Sequence, residues 1–305
     1  MNLSDDQTDD VLPSASLDMS DVTLICITYN SASVVEECLR PLSLINNIVI
    51  LDNASADDSV GRAARICPQA NLIKNTKNVG FGTGINQIMA LVKTKYVLLM
   101  NPDAVISIAT VGKLIEAAKL EPKTGIVAPF LFSPNRGLEL TMMGPWELTH
   151  KNVDIIPEGP TCTWFVTAAV WLFSAEAMRE IGGFDEKIWV YCEDLDVCIR
   201  MARHGYSMLV LPDAQGEHLV SQAAPPTLRI RWRKEWNIIW GHLYLTNKFE
   251  SAASTKQEAW RLIRKHGPKV PFYLLVLDAK RFMRDLAITS AAVSYLSGRN
   301  PSRSN

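Results

Sequence analysis

From Asp21 onward, short apolar runs ending in Asn, Asp or Thr alternate with stretches of helical periodicity, and this alternation restricts the fold more than any other feature. The runs Val22 to Thr28, Asn47 to Asp52, Asn71 to Lys74 and Tyr96 to Asn101 are brief and rich in Val, Ile and Leu, as strands buried on both faces are. Helices are expected between them, near Ser33 to Leu39, Ser59 to Ile66 and Gly84 to Val92, with a further helix at Ser107 to Leu120. A β-α-β-α order of this kind predicts an α/β fold: a mainly parallel sheet flanked by helices, with ligand groups gathered at the carboxyl ends of the strands. A strand at Gly125 to Pro129 comes next, then a loop-rich stretch of Gly and Pro up to Pro160. Beyond it the pattern predicts a strand at Thr163 to Phe173 and helices at Ser174 to Ile181 and Glu193 to His204.

The charge distribution divides the chain. Over 305 residues the formal net charge is −1, too balanced for a nucleic-acid partner. Residues 1–225 hold 16 Lys and Arg against 27 Asp and Glu, whereas residues 226–305 hold 15 against 5, so an acidic body carries a basic end. The shift falls at Pro225-Pro226, after which Arg229, Arg231, Arg233 and Lys234 alternate with Ile230 and Trp232. From Pro271 to Leu296 the apolar residues Phe272, Leu275, Val276, Ala279, Phe282, Met283 and Leu286 share one arc of a helix with a basic-leaning polar face. An anionic partner is expected for this end, most simply a phospholipid surface or a lipid diphosphate.

The six cysteines show no Cys-x-x-Cys pair and no metal-ligand spacing, and are read as reduced thiols of a cytoplasmic protein. Met1 to Ser20 is acidic and polar, without the basic and apolar blocks of a secretion signal, and is expected to be a tail. No apolar run reaches the roughly 20 residues that a transmembrane helix needs.

The polar residues cluster where the strands end. Thr28-Tyr29-Asn30 offers a ring and exposed backbone to a nucleobase, and Asp52-Asn53-Ala54-Ser55 offers a carboxylate to a base N–H or a ribose hydroxyl, although on local grounds alone each reads first as a turn. In the stretch Asn78 to Asn86 the glycines miss the dinucleotide fingerprint G-x-G-x-x-G, because Ile85 stands at the third position. Gly80 and Gly82 are instead expected to let the backbone approach a ligand just before a helix N-terminus. Asn101-Pro102-Asp103 follows an apolar strand, where a carboxylate suits Mg²⁺ or Mn²⁺ shared with phosphates. Farther on, Glu193, Asp194 and Asp196 place three carboxylates in four residues, which repel unless a cation or a proton-transfer role offsets them. Asp196 also stands at i,i+4 from Arg200, the spacing of a helix-face ion pair.

Together these positions resemble the inverting family-two glycosyltransferases of GT-A fold, in particular their rhamnosyltransferase-like branch, over about Val22 to Ser221. The resemblance rests on six motifs in order: Thr28-Tyr29-Asn30, Asp52 to Ser55, Asn78 to Asn86, Asn101-Pro102-Asp103, Gly182-Gly183-Phe184-Asp185-Glu186, and Tyr191-x-Glu193-Asp194-x-Asp196, with His218 and Ser221 after them. It implies a nucleotide site at Thr28, Tyr29, Asn30, Asp52, Asn78, Gly80, Gly82 and Asn101, a divalent cation (Mg²⁺ or Mn²⁺) on Asp103 and His218, and Asp194 as general base with Glu193 as the alternative. The acceptor is expected at Trp164, Asp185 and Glu193. The implied reaction moves a sugar, rhamnose as the first choice, from a dTDP- or UDP-linked donor to a glycan or lipid-linked acceptor in bacterial surface polysaccharide synthesis. The enzyme would work in the cytoplasm, on the inner face of the plasma membrane. On this reading residues 1–20 are a tail, 21–225 the catalytic domain (a nucleotide-sugar half to about 105, then an acceptor half), and 226–305 a basic helical region.

The family's first motif aspartate is here Asn101, and the bulky Trp164 and Trp171 flank the place of a small-residue run, where they are expected to reshape the acceptor pocket. A non-catalytic binding scaffold of the same fold would lack Asp103 or the base, and both are present. A sugar-nucleotide pyrophosphorylase would need a glycine-rich basic loop near its start, and Asp21 to Arg40 contains no glycine.

Overall fold

A computed structural model describes residues 19–121, 123–133, 137–139, 157–219 and 227–299. The expected tail (apart from its last two residues), much of the Gly/Pro stretch before Pro160, Ser221 and the Pro225-Pro226 boundary lie outside the described residues.

Strands β1 (Val22–Thr28), β2 (Asn47–Asp52), β3 (Asn71–Lys74) and β4 (Tyr96–Met100) lie parallel in the order β3-β2-β1-β4. All seven residues of β1 are buried because the pleat sends Val22, Leu24 and Cys26 into one hydrophobic layer and Ile25 and Ile27 into the other. The connecting helices α1 (Val35–Leu39), α2 (Ser59–Ile66) and α3 (Phe81–Met89) cover these layers. The sheet then continues through β5 (Ala104–Ile106), β6 (Thr124–Ser133), β7 (Gly137–Glu139), β8 (Thr161–Cys162), β9 (Val170–Ser174) and β10 (Ser207–His218). Its second half runs β4-β9-β6-β10-β5, with β9 antiparallel to both neighbours, so the sheet is mixed. Helices α4 (Ile108–Leu120), α5 (Ala175–Glu180) and α6 (Glu193–Arg203) complete this α/β body.

Two expectations are corrected here. The strand expected at Thr163 to Phe173 begins only at Val170: before it the Thr163 N–H turns to the Met208 carbonyl at 2.9 Å, and the Ala169 carbonyl accepts from the Asn101 N–H at 2.8 Å. Helix α3 starts at Phe81 rather than Gly84, because Gly80 takes the left-handed φ of +89° that turns the chain into it.

The C-terminal region is helical: α7 (Leu228–Phe249), α8 (Ala252–His266), α9 (Lys269–Leu275) and α10 (Ala279–Leu296). Leu243, Ala259, Leu262, Ile288 and Ala292 form its core. The single amphipathic helix expected from Pro271 is broken at Leu277, whose φ is +55°, and its inward face is not the expected arc. Small side chains, Ala287, Ala291 and Ala292, let α10 close on α7 and α8, while Phe272, Leu275 and Val276 face outward. None of the described helices is long and apolar enough to cross a membrane.

Candidate active site at the carboxyl ends of the strands

The ends of β1 and β2 are joined by side chains. Thr28 Oγ1 donates to Asp52 Oδ1 at 2.9 Å, and the Ser55 hydroxyl and N–H donate to the same carboxylate at 2.5 and 3.0 Å. The Asn30 N–H donates to Ser55 Oγ at 2.9 Å, and its side-chain oxygen accepts from the Ala56 N–H at 2.8 Å. Asn53, which is buried, ties the next loop in: its Oδ1 accepts from the Val79 N–H at 3.0 Å and its Nδ2 donates to the Gly80 carbonyl at 3.1 Å. Asn78 Oδ1 accepts from the Gly80 N–H at 2.9 Å. Thr28, Tyr29, Asn30, Asp52 and Asn78 thus line one edge of the sheet, with Tyr29 exposed beside them.

The metal candidates meet through strand pairing. Asp103 immediately precedes β5, which lies antiparallel to β10 with Ala104 opposite His218. That register brings His218 Nε2 to 3.3 Å from Asp103 Oδ1, while the Leu219 N–H donates to the Asp103 carbonyl at 2.7 Å. Two ligand atoms on one Mg²⁺ or Mn²⁺ ion stand about 3 Å apart, so the pair fits a shared cation. Among the described residues no three His, Cys, Asp or Glu groups converge on one point, so such an ion would complete its shell from diphosphate oxygens and water.

Asp194 and Glu193 open α6. The residues before them, Tyr191 and Cys192, hold φ of +66° and +70°; two successive non-glycine residues in the left-handed region are strained, as segments that aim functional groups often are. Burial raises the Asp194 carboxyl to about 6, against N–H groups of Leu195 and Ala168 that favour its charge. Burial and then the neighbouring Asp194 charge raise Glu193 to about 8, and its Oε2 is buried with no partner among the described residues. Of the two, Asp194 is raised less and keeps N–H groups that favour its charge, so it is the better suited to accept a proton.

Asp194 and the Asn101-Pro102-Asp103 turn are approached by adjacent residues. The Ala168 N–H lies near enough to the Asp194 carboxyl to favour its charge, and the Ala169 carbonyl accepts from the Asn101 N–H at 2.8 Å. This link follows from the antiparallel register that sets Met100 against Val170.

The model of glycosyl transferase family 2 matches residues 23–182, more than half of the chain. The chain belongs to that family. It is a glycosyltransferase of GT-A fold, and its curated relatives include two Mycobacterium tuberculosis proteins. An N-acetylglucosaminyl-diphospho-decaprenol L-rhamnosyltransferase is 24% identical over 236 residues, which cover 66% of this chain and 76% of that protein. A pre-mycofactocin glycosyltransferase is 25% identical over 207 residues, covering 65% of this chain and 42% of that one. Among solved structures, the mannosyltransferase PcManGT of Pyrobaculum calidifontis, in complex with GDP-Man and Mn²⁺, is similar at a TM-score of 0.56 and 16% identity, over 91% of this chain and 74% of its own. GalNAc-T7, with UDP, GalNAc and Mn²⁺, matches at a TM-score of 0.59 and 11% identity over 90% of this chain and 57% of its own. At these identities both structures speak for the fold alone.

Within this glycosyltransferase several side chains do other work than their motifs imply. Gly80 and Gly82 accommodate the protein itself: a Cβ on Gly80 would lie 2.6 Å from the Trp189 carbonyl, and one on Gly82 would lie 2.9 Å from Phe184 Cβ. The close approach they permit is therefore that of the segment leading to Glu193 and Asp194. Asp185, expected at the acceptor, accepts from Lys248 Nζ at 2.6 Å and Tyr244 Oη at 2.8 Å; burial raises its carboxyl, but these donors outweigh that and hold it below the usual range. Asp196 is fully buried between Arg200, at 2.6 Å, and Lys248, at 2.6 Å. Trp171 is wholly buried and stacks on Phe184, so it shapes the core rather than the acceptor pocket, whereas Trp164 is 56% exposed.

Lys248, Tyr244 and Gly241 were not singled out by sequence reasoning. All three lie on α7, and a Cβ on Gly241 would lie 2.9 Å from Cys192 Sγ, so the first helix of the basic region props the segment that carries Glu193 and Asp194. Only the i,i+4 spacing of Asp196 and Arg200 hinted at this buried charge cluster.

Proposed function

We propose that this enzyme transfers a sugar, with inversion, from a nucleoside-diphosphate donor to a hydroxyl of a lipid-linked glycan, and that rhamnose from a dTDP donor is its substrate. The relative that acts on N-acetylglucosaminyl-diphospho-decaprenol supports both the sugar and the lipid-linked acceptor. The observation that supports the mechanism is that consecutive residues, Ala168 and Ala169, lie against Asp194 and Asn101, the first through an N–H that favours the Asp194 charge and the second through a hydrogen bond at 2.8 Å.

In this mechanism Thr28, Asn30, Asp52 and Asn78 hold the nucleotide, with Tyr29 against the base. The acceptor hydroxyl enters past Trp164 and gives its proton to Asp194 as its oxygen attacks the anomeric carbon. Attack from the side opposite the leaving group inverts the configuration. Glu193, protonated, keeps a second negative charge out of the acceptor site. A divalent cation, when bound by Asp103 and His218, would offset the charge that develops on the departing diphosphate. The domain division proposed is a catalytic unit over 21–225, with 226–305 as its buttress.

A screen of dTDP- and UDP-sugars with a polyprenyl-diphosphate N-acetylglucosamine acceptor and Mg²⁺ or Mn²⁺ tests the reading. Consumption of dTDP-rhamnose, with product of inverted configuration, is expected. Turnover of a UDP-hexose alone would move the donor assignment, metal-independent donor binding would unseat Asp103 and His218, and no turnover across the panel would favour a binding scaffold.

A further inference from the structure

The turn between α9 and α10 exposes apolar surface that nothing in the fold requires. No residue of α9 is buried, although its sequence is Lys269-Val270-Pro271-Phe272-Tyr273-Leu274-Leu275. Leu275 is 82% and Leu277 87% exposed, with Phe272, Leu274 and Val276 also more than half exposed. The turn is nevertheless well built. The Asp278 N–H donates to the Tyr273 carbonyl at 3.0 Å, the Leu277 N–H to the Leu274 carbonyl at 3.3 Å, and Asp278 caps α10 by accepting from the Arg281 N–H at 3.0 Å. In such a helix ending the left-handed position is normally glycine. Here it is Leu277, at a φ of +55°. The chain thus accepts backbone strain and an exposed leucine at one residue, and the fold gains nothing visible from either.

Charge indicates what covers this tip. Residues 264–285 carry Arg264, Lys265, Lys269, Lys280, Arg281 and Arg284 against Asp278 and the buried Asp285, so basic side chains flank the apolar tip on both sides in the sequence. An exposed apolar tip with basic flanks is complementary to a bilayer with anionic headgroups. A two-fold contact with a second copy would set basic flanks against basic flanks.

We propose that the α9–α10 tip is a membrane-docking element that inserts Phe272, Leu274, Leu275 and Leu277 shallowly into an anionic leaflet. It deepens the reading of a lipid-linked acceptor, since an enzyme docked in this way meets its acceptor at the bilayer surface, but the surface itself rests on the residues named here.

The test is sedimentation of the full-length protein with vesicles of phosphatidylcholine alone and of phosphatidylcholine mixed with phosphatidylglycerol, at low salt. Binding to the mixed vesicles only is expected. Leu275→Glu/Leu277→Glu should weaken it about ten-fold or more, and each of Lys269→Gln and Lys280→Gln by about five-fold, with donor turnover on a soluble acceptor analogue unchanged. Leu277→Gly separates docking from folding: relief of the left-handed strain should raise Tm by about a degree or more while vesicle binding falls. Failure of the wild type to bind mixed vesicles, or undiminished binding by the double variant, would overturn the proposal. So would a concentration-dependent dimer that Leu275→Glu/Leu277→Glu dissolves without any vesicle binding, which would assign the tip to a second copy. A protein that fails the donor screen yet sediments with mixed vesicles would lose the proposed substrate and keep this surface.

Discussion

The donor edge and the base segment are assembled in opposite ways. At the donor edge, Thr28, Asp52 and Ser55 satisfy one another across neighbouring parallel strands, and Asn53 fastens the following loop, so each group is held by elements close in sequence. The base segment depends on distant chain. Tyr191 and Cys192 sit in strained left-handed geometry, Gly241 of α7 packs against Cys192, and Lys248 neutralises Asp185 and Asp196 on either side of Asp194. On the proposed mechanism, donor recognition is thus a property of the sheet, whereas the position of Asp194 is a property of how α7 docks. Lesions at the two places should divide accordingly, donor-edge changes acting on KM and base-segment changes on kcat.

The largest effect is expected for Asp194→Asn. A general base contributes about 10²- to 10⁴-fold, so kcat should fall by about 10² or more while donor affinity, measured by titration, stays near wild type. The same group sets the acid limb of the pH profile. Its carboxyl is raised to about 6, so kcat/KM should fall as pH drops through about 6 and Asp194 takes up a proton, and should level off above it. A profile flat down to pH of about 4.5, near the ordinary carboxylate value, would remove Asp194 from the base role.

Next in size is Lys248→Met, which leaves the wholly buried Asp196 with Arg200 alone and Asp185 with Tyr244. Removing one partner of a buried ion pair costs about 3 to 5 kcal/mol; partial exposure of Lys248 and the surviving Arg200 place this variant at about 2 to 3. Thermal unfolding measures that loss, and kcat should fall with it while the donor KM holds. Gly241→Ala should act in the same direction with about 1 to 2 kcal/mol, since its Cβ would meet Cys192 Sγ at 2.9 Å and Cys192 Cβ at 3.0 Å. An unchanged kcat in both variants would mean that α7 supports the fold and not the base. At the other edge, Thr28→Val removes a buried hydrogen bond to Asp52, worth about 1 to 2 kcal/mol, and should appear in donor KM with little change in kcat.

The contrast also explains what the sequence could reveal. Thr28, Asp52 and Asn101 were legible because apolar periodicity predicts where strands stop, and the carboxyl ends of parallel strands gather ligand groups. The meeting of Asp103 with His218 was implied only by resemblance, since it depends on β5, a strand of three residues too short to leave a pattern. The charge partners of Asp185, Tyr244 and Lys248, were not legible because they are encoded in a helix whose docking face carries no motif. The break at Leu277 was invisible for a plainer reason: neither Gly nor Pro marks it, and the apolar arc read through it as though one helix continued. Interactions between sequence neighbours leave spacing rules behind, as Asp196 and Arg200 did, whereas contacts made by packing leave only ordinary residues such as Gly241.

The smallest effect on turnover is expected for Glu193→Gln, and it decides which of the two adjacent carboxyls is the base. Burial and the Asp194 charge raise Glu193 to about 8, so at neutral pH it is mostly the uncharged acid, which glutamine imitates in size and charge. The variant should keep kcat within a few-fold of wild type at pH of about 7 and keep the acid limb near 6, because that limb belongs to Asp194. Its stability should change in a way that turnover does not. A carboxyl whose folded value is raised contributes stability that is fully present below its unfolded value, about 4.3, and is lost as pH rises through its folded value, about 8. Wild-type Tm should therefore decline across that window more steeply than the Tm of Glu193→Gln, which has no proton to lose there. If Glu193→Gln were instead as inactive as Asp194→Asn, the base would be Glu193; the raised value of Asp194 would then describe only a buried neighbour, and the strain at Tyr191 and Cys192 would aim the other carboxyl at the acceptor.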